Sequence, residues 1–169
     1  MAKKILVIYA TRYGSTKDIA EKIAGYLNEK GYQADSENFS AIKSTEGYDA
    51  VIAGSAIQMG KWLPEAREFI QAHNADLNKV PLFVFSCGIT LHEPDENEVR
   101  KALFATDEIK LYVDPKETGL FAGKLDTGIL TDPDRQIITL AKPECGDFRN
   151  YRKISKWVDK LDSDYLKKL

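Results

Sequence analysis

The chain has 169 residues with 24 Lys+Arg, 26 Asp+Glu and 2 His, a formal net charge of -2, and 43% hydrophobic residues. That length predicts one domain over residues 1–169, long enough to bury roughly 70% of its unfolded surface, and the apolar and charged fractions are those of an ordinary globular protein. A charge so close to zero excludes a generic nucleic-acid binder, and apolar runs such as Ile5-Leu6-Val7-Ile8 and Leu82-Phe83-Val84-Phe85 fall far below the ~18–20 residues of a membrane span.

Along the chain, strand-like runs alternate with helical ones. Lys4–Ala10 is continuous, apolar and rich in β-branched residues, as a strand buried on both faces of a parallel sheet should be. Residues 16–30 carry Ile19, Ala20, Ile23, Ala24 and Leu27 at helical spacing, and Gly31 stops the run. Residues 33–39 read as a more exposed strand, and 50–54 as a short buried one. Residues 63–73 form a helix with Pro64 in its first turn. Residues 82–86 give the clearest central strand, Glu96–Phe104 a helix, and 120–123 a fifth strand. The last helix starts near Tyr151, runs to Leu161 or beyond, and should bury Ile154, Trp157, Val158 and Leu161. Residues 124–149 are irregular and punctuated by Pro, Gly and Asp. This β-α-β-α order predicts a doubly wound α/β sheet with right-handed crossovers.

The N-terminus shows no signal-peptide pattern, because the short apolar run passes at once into Thr11-Arg12-Tyr13-Gly14; a cytoplasmic location is expected. Cys87 and Cys145 make neither a disulfide framework nor a CxxC zinc pair. No metal is expected.

The most informative segment is Thr11-Arg12-Tyr13-Gly14-Ser15-Thr16, between the first strand and the first helix. In a doubly wound sheet this is the carboxyl edge, where ligands bind. Thr11, Ser15 and Thr16 supply hydroxyls, Gly14 lets the backbone approach closely, and the helix N-terminus adds unpaired N–H groups and a favourable dipole. Arg12 is expected to point to solvent. The competing reading is that Ser15 or Thr16 merely caps the helix. Rival phosphate motifs fail. Gly54 and Gly60-Lys61 are one residue too far apart for a Walker A loop, and Trp62 stands where that loop needs Ser/Thr. No GxGxxG follows the first strand, and Glu93 stands where a cysteine phosphatase built on Cys87 would need Arg. A mononucleotide phosphate remains.

The stretch from Ile5 to Thr16, followed by an Ile/Ala-rich helix, resembles the opening of the flavodoxin-like FMN-binding family. The likeness extends through Tyr48-Asp49-Ala50-Val51-Ile52-Ala53-Gly54-Ser55 and through residues 83–88, and it weakens after Lys124. Tyr13 stands where the common pattern has Thr or Ser. The resemblance implies a three-layer α/β/α sandwich around a five-stranded parallel sheet in order 2-1-3-4-5, with FMN across the carboxyl ends of strands one, three and four.

By that resemblance the cofactor site takes Thr11, Arg12, Tyr13, Gly14, Ser15 and Thr16 around the phosphate. A second loop, Ser55, Ala56, Ile57, Gln58, Met59, Gly60 and Trp62, lies along the flavin, with Ile57, Met59 and Trp62 as candidates to cover a ring face. Packing against the domain is the equal alternative for Trp62. A third loop, Ser86, Cys87, Gly88, Ile89, Thr90 and Leu91, meets the pyrimidine edge. It lacks the Tyr that many flavodoxins stack on the ring. Cys87 reads better as an inert buried residue than as a flavin neighbour, His92 as exposed, and His73 as a partner of its helix C-terminus. Glu93, Asp95, Glu96 and Glu98 form an acidic cluster that is either a docking feature or a solvated helix start.

A narrower likeness, carried by residues 55–62, 121–125 and 146–151, is to the flavodoxin branch that includes menaquinone-dependent protoporphyrinogen oxidases. Those carry a longer apolar-basic insertion before the last helix; here residues 126–145 are short, with Ile137-Ile138-Thr139-Leu140 as their only apolar patch. The leading expectation is therefore an electron carrier working between transient redox protein partners. The second is an enzyme acting on a porphyrinogen or a quinone, and the third a flavin-free module.

Overall fold

The computed structural model describes residues 2–125 and 146–169. Strand β1 (Lys4–Ala10) is followed by α1 (Ser15–Glu29), β2 (Gln33–Asn38), β3 (Ala50–Gln58) and a two-residue β4 (Lys61–Trp62). Next come α2 (Pro64–Ala72), the single turn α3 (Asn74–Leu77), β5 (Leu82–Gly88), α4 (Glu96–Phe104) and β6 (Glu117–Ala122). A small ribbon, β7 (Lys124–Leu125) with β8 (Gly146–Asp147), precedes the closing helix α5 (Tyr151–Asp164). The main sheet runs β2-β1-β3-β5-β6, every neighbour parallel, with β4 paired antiparallel to the end of β3. With β4 set aside, this is the expected 2-1-3-4-5 order.

Alternation along β1 divides the core between the two faces of the sheet. Ile5, Val7 and Tyr9 pack with Ile19, Ile23 and Leu27 of α1 and Ile154, Val158 and Leu161 of α5. Leu6 and Ile8 pack with Ala66, Phe69 and Ile70 of α2 and with Ile109 and Val113 after α4. Each fully buried Leu, Ile or Phe contributes about 1.5–3 kcal/mol, so both helix layers are held mainly by apolar burial. Tyr32 adds a polar tie, its hydroxyl donating to Asp162 of α5 at 2.5 Å.

One row of the sheet has an unusual composition. Gly54, Phe85 and Gly119 are register partners on β3, β5 and β6. A methyl group at Gly54 would lie 2.0 Å from the Phe85 ring, and one at Gly119 2.9 Å from Phe121 and Trp157. The two glycines make room for three aromatic rings. Phe121 and Trp157 meet edge to face at 5.5 Å, and Phe85 and Trp157 do so at 6.3 Å.

The structure departs from expectation in element ends and in one burial, and the fifth strand, expected over 120–123, runs over Glu117–Ala122. The third strand runs to Gln58 and not to Gly54, because β3 turns into β4 through Met59 (φ 52) and Gly60 (φ 77). Two positive-φ residues between antiparallel strands are the signature of a type I′ hairpin. Helix α1 starts at Ser15 with Gly14 as its N-cap. Trp157 is only partly buried. Residues 126–145, including Cys145 and the Ile137–Leu140 patch, lie outside the described residues.

Candidate functional site

The sheet register sets the site. Ala10 pairs with Ser55, Ala56 with Cys87 and Gly88 with Ala122, so four strands end side by side and their loops share one edge.

The first loop is shaped by its own side chains. Gly14 takes φ 96, a left-handed conformation that costs other L-residues roughly 1–2 kcal/mol. The Gly14 N–H donates to Thr11 Oγ1 at 2.9 Å, which leaves the Thr11 hydroxyl proton free to point elsewhere. Helix α1 has no side-chain cap, so neither Ser15 nor Thr16 is spent on capping. Thr16 Oγ1 is buried and has no hydrogen-bond partner. The nearby Cys87 thiol, which burial pushes up to about 12 against a smaller opposing pull from Thr16, is only a weak partner for a hydroxyl. Natural structures rarely leave such a group orphaned. A phosphate oxygen is the kind of acceptor this loop lacks, and the residues fit that group.

Beside the loop is a cavity of about 270 Å³ lined by Tyr13, Gly14, Ser15, Lys17, Asp18, Glu21 and Lys124. Arg12 is exposed as expected, but it also reaches across to the second loop, its guanidinium donating to Gln58 Oε1 at 3.3 Å.

The second loop separates into a buried base and an exposed tip. Ser55 Oγ accepts from the Leu63 N–H at 3.0 Å and donates to the Ala56 carbonyl at 2.9 Å. Trp62 is 1% exposed, and its indole N–H donates to Ser86 Oγ at 2.8 Å. In this arrangement Trp62 packs into the domain and locks the second loop to the third. Ala56, Ile57 and Gln58 are partly buried, whereas Met59 at the hairpin tip is 81% exposed and Gly60 is exposed beside it.

The third loop begins with buried Ser86 and Cys87, then turns through a 3-10 turn, Ile89–Leu91. Leu91 is buried; Gly88 and Ile89 are partly buried and Thr90 is exposed. The Leu91 and Ile57 side chains both close over Gly88, where an added Cβ would be 3.6 Å from the first and 3.8 Å from the second. His92 is exposed and stacks on Phe148 with ring centroids 4.4 Å apart. His73 lies at the end of α2, stacked on Phe69, with its ring nitrogens 3.1 Å from the Phe69 and Lys43 carbonyls. The acidic cluster is a helix start: Asp95 accepts from the Glu98 N–H, and Glu98 accepts from the Asp95 N–H.

Sequence reasoning missed the tail's part in the site. The β7–β8 ribbon brings Arg149 to Asp18 in the first turn of α1 at 2.7 Å, while the same guanidinium forks onto Asp147 at 2.6 and 2.8 Å. Lys124 of the ribbon lines the cavity at the phosphate loop. A basic residue 131 positions from its acid has no local signal, and only the shared fold brings the two together. Among the described residues no cluster of His, Cys, Asp or Glu could hold a metal, and no helix is long and apolar enough to cross a membrane.

A parallel sheet in this order, with a hydroxyl-rich loop at the switch point between β1 and β3, defines a doubly wound α/β protein of the kind that binds ligands at that edge. The family model described as a flavodoxin domain matches residues 6–150, and the chain belongs to the flavodoxin family. It is similar to Escherichia coli K12 protoporphyrinogen IX dehydrogenase (quinone), 34% identical over 95 residues, covering 55% of this chain and 52% of that one. A Leishmania major protein of the same description is 26% identical over 126 residues, covering 72% of this chain and 54% of the other. The chain thus spans about half the length of the curated relatives it matches. Among solved structures, Bacillus cereus flavodoxin 2 aligns with TM-score 0.59 at 19% identity, over 96% of this chain and 99% of that one. An FMN-bound Fusobacterium nucleatum flavodoxin aligns with TM-score 0.55 at 14% identity, over 96% and 98%. Likeness at those identities speaks for the fold.

Proposed function

We propose that the chain is an FMN-binding electron carrier of the flavodoxin type, passing electrons between redox protein partners. The observation that carries this is the unused N-terminus of α1: a positive-φ Gly14, no side-chain cap, and a buried Thr16 hydroxyl without a partner. Thr11, Ser15 and Thr16 hold the phosphate through hydroxyls, with the first N–H groups of α1 completing the shell. Ile57, Gln58, Met59 and Gly60 on one side, and Gly88, Ile89 and Thr90 on the other, orient the ring system between two loops that Trp62 and Ser86 keep in place. When bound, FMN supplies the one- or two-electron chemistry. Partners dock transiently over the exposed ring edge through a small interface, and a cytoplasmic location goes with this role.

Purification with an absorbance spectrum is the test. The expected result is a yellow protein that releases FMN and not FAD; a chain that stays colourless after FMN addition overturns the reading.

The 34% identity to a protoporphyrinogen IX dehydrogenase (quinone) favours a second reading, an oxidoreductase acting on a porphyrinogen or a quinone. Comparing protoporphyrinogen and quinone turnover with electron exchange to a ferredoxin-type protein separates the two. Turnover of the small molecules, with no exchange to a protein, replaces the carrier with the enzyme.

A further inference from the structure

We propose that the β7–β8 ribbon completes the phosphate site: Arg149 holds Asp18 in an ion pair at the N-terminus of α1, and Lys124 adds a cation beside the loop. The inference rests on the reading that this loop takes a phosphate.

The first turn of α1 carries an acid, Asp18. Alone, an acid there suits the helix dipole, but it repels any second anion that comes to the same N–H groups. Arg149 meets it at 2.7 Å and is itself well fixed, with only 13% of its side chain exposed. Its other nitrogens fork onto both oxygens of Asp147, and its face lies over the Tyr151 ring. Two acids, Asp18 and Asp147, therefore face two cations, Arg149 and Lys124, and cavity neighbours Lys17 and Glu21 pair with each other at 4.0 Å. The ribbon adds one net positive charge beside the loop, Arg149 and Lys124 against Asp147, on the side of Asp18.

The ribbon also touches the loop sterically. A Cβ at Gly123 would lie 2.9 Å from Ser15 Oγ, so the chain passes hard against a phosphate hydroxyl immediately before Lys124. The Phe148 N–H donates to the Gly123 carbonyl at 3.1 Å, which fixes that approach. From one segment distant in sequence a phosphate dianion gains one net positive charge and an Asp18 carboxylate held in an ion pair.

The test measures FMN and riboflavin affinity of the full chain by equilibrium dialysis, since riboflavin lacks only the phosphate. Arg149→Met is expected to weaken FMN roughly five- to tenfold, and Lys124→Met about threefold, with riboflavin unchanged in both. Adding Asp18→Asn to Arg149→Met is expected to restore FMN affinity, because the acid no longer needs a partner. A purely structural Arg149 would instead leave the double variant as weak as the single one, or weaken riboflavin equally, and either result overturns the inference. Should Arg149→Met fail to fold, Asp18→Asn and Lys124→Met alone decide: the first should tighten FMN or leave it unchanged, and the second should weaken it. Wild-type chain that takes up no FMN overturns the cofactor reading together with this one, whereas FMN binding indifferent to Lys124 and Arg149 overturns this one alone.

Discussion

Helices α1 and α4 begin in opposite ways. At α4 both orphan ends are satisfied locally, since Asp95 and Glu98 exchange side-chain and backbone hydrogen bonds in a complete capping box. At α1 the cap is a glycine with no side chain to offer, and the hydroxyls of the next two residues are left for something else. A capped N-terminus stabilises its own helix, whereas an uncapped one leaves N–H groups open to other acceptors. The contrast is between a helix start closed by its own side chains and one left open beside a cavity.

The sharpest way to break this comparison is to remove the α1 hydroxyls. Ser15→Ala with Thr16→Val is expected to weaken FMN by about 1–3 kcal/mol for each group, read by flavin titration; unchanged affinity would put the phosphate elsewhere. Thr16→Val by itself should melt at or above the wild-type temperature without FMN, because a buried hydroxyl with no partner is replaced by a methyl of the same shape. Next in size, Gly14→Ala forces a side chain into φ 96 and should cost about 1–2 kcal/mol in denaturant unfolding. Its effect on FMN should exceed its effect on stability. At the other helix, Asp95→Ala should cost about 1 kcal/mol of stability and leave FMN titration unaltered; a loss of FMN there would tie α4 to the site.

The smallest expected effect is a pH dependence. The Arg149 guanidinium, through its hydrogen bonds, holds the Asp147 carboxyl down at about 2, below the usual 3.8. A depressed folded value means the pair's stabilisation is fully present above about 3.8 and fades as pH falls through about 2. The side chain of Asp147 is 44% exposed, so solvent keeps that contribution modest. Carboxyl NMR should find Asp147 titrating below the exposed aspartates, and Arg149→Met should return it to their range.

The sheet and the first loop were legible in the sequence because their signals are local. Continuous apolar runs marked β1 and β5, helical spacing marked α1, and Gly14 with its neighbouring hydroxyls marked the loop between β1 and α1. The second loop was half legible. Gly60 was read as a loop residue, but Met59, in the other left-handed position, masked the hairpin that lengthens β3. Trp62 could have faced a flavin or the core, and what separates those readings is the Ser86 hydroxyl 24 positions away. The ribbon was illegible for the same reason. Arg149, Asp18 and Lys124 are ordinary surface charges in a linear reading, and only closure of the sheet brings the first and the last to the start of α1, one paired with Asp18 and the other lining the cavity that Asp18 also lines.

The Gly54-Phe85-Gly119 row has a consequence for how this protein can vary. The Phe85 ring and the missing side chain at Gly54 are one volume divided over two strands, while Phe121 and Trp157 fill the space at Gly119. Gly54→Ala alone should be disabling, yet it should become tolerable when Phe85 shrinks to Leu. Gly54 and Phe85 are free to drift only as a pair, and a relative that has lost the ring should have regained a side chain at the position of Gly54.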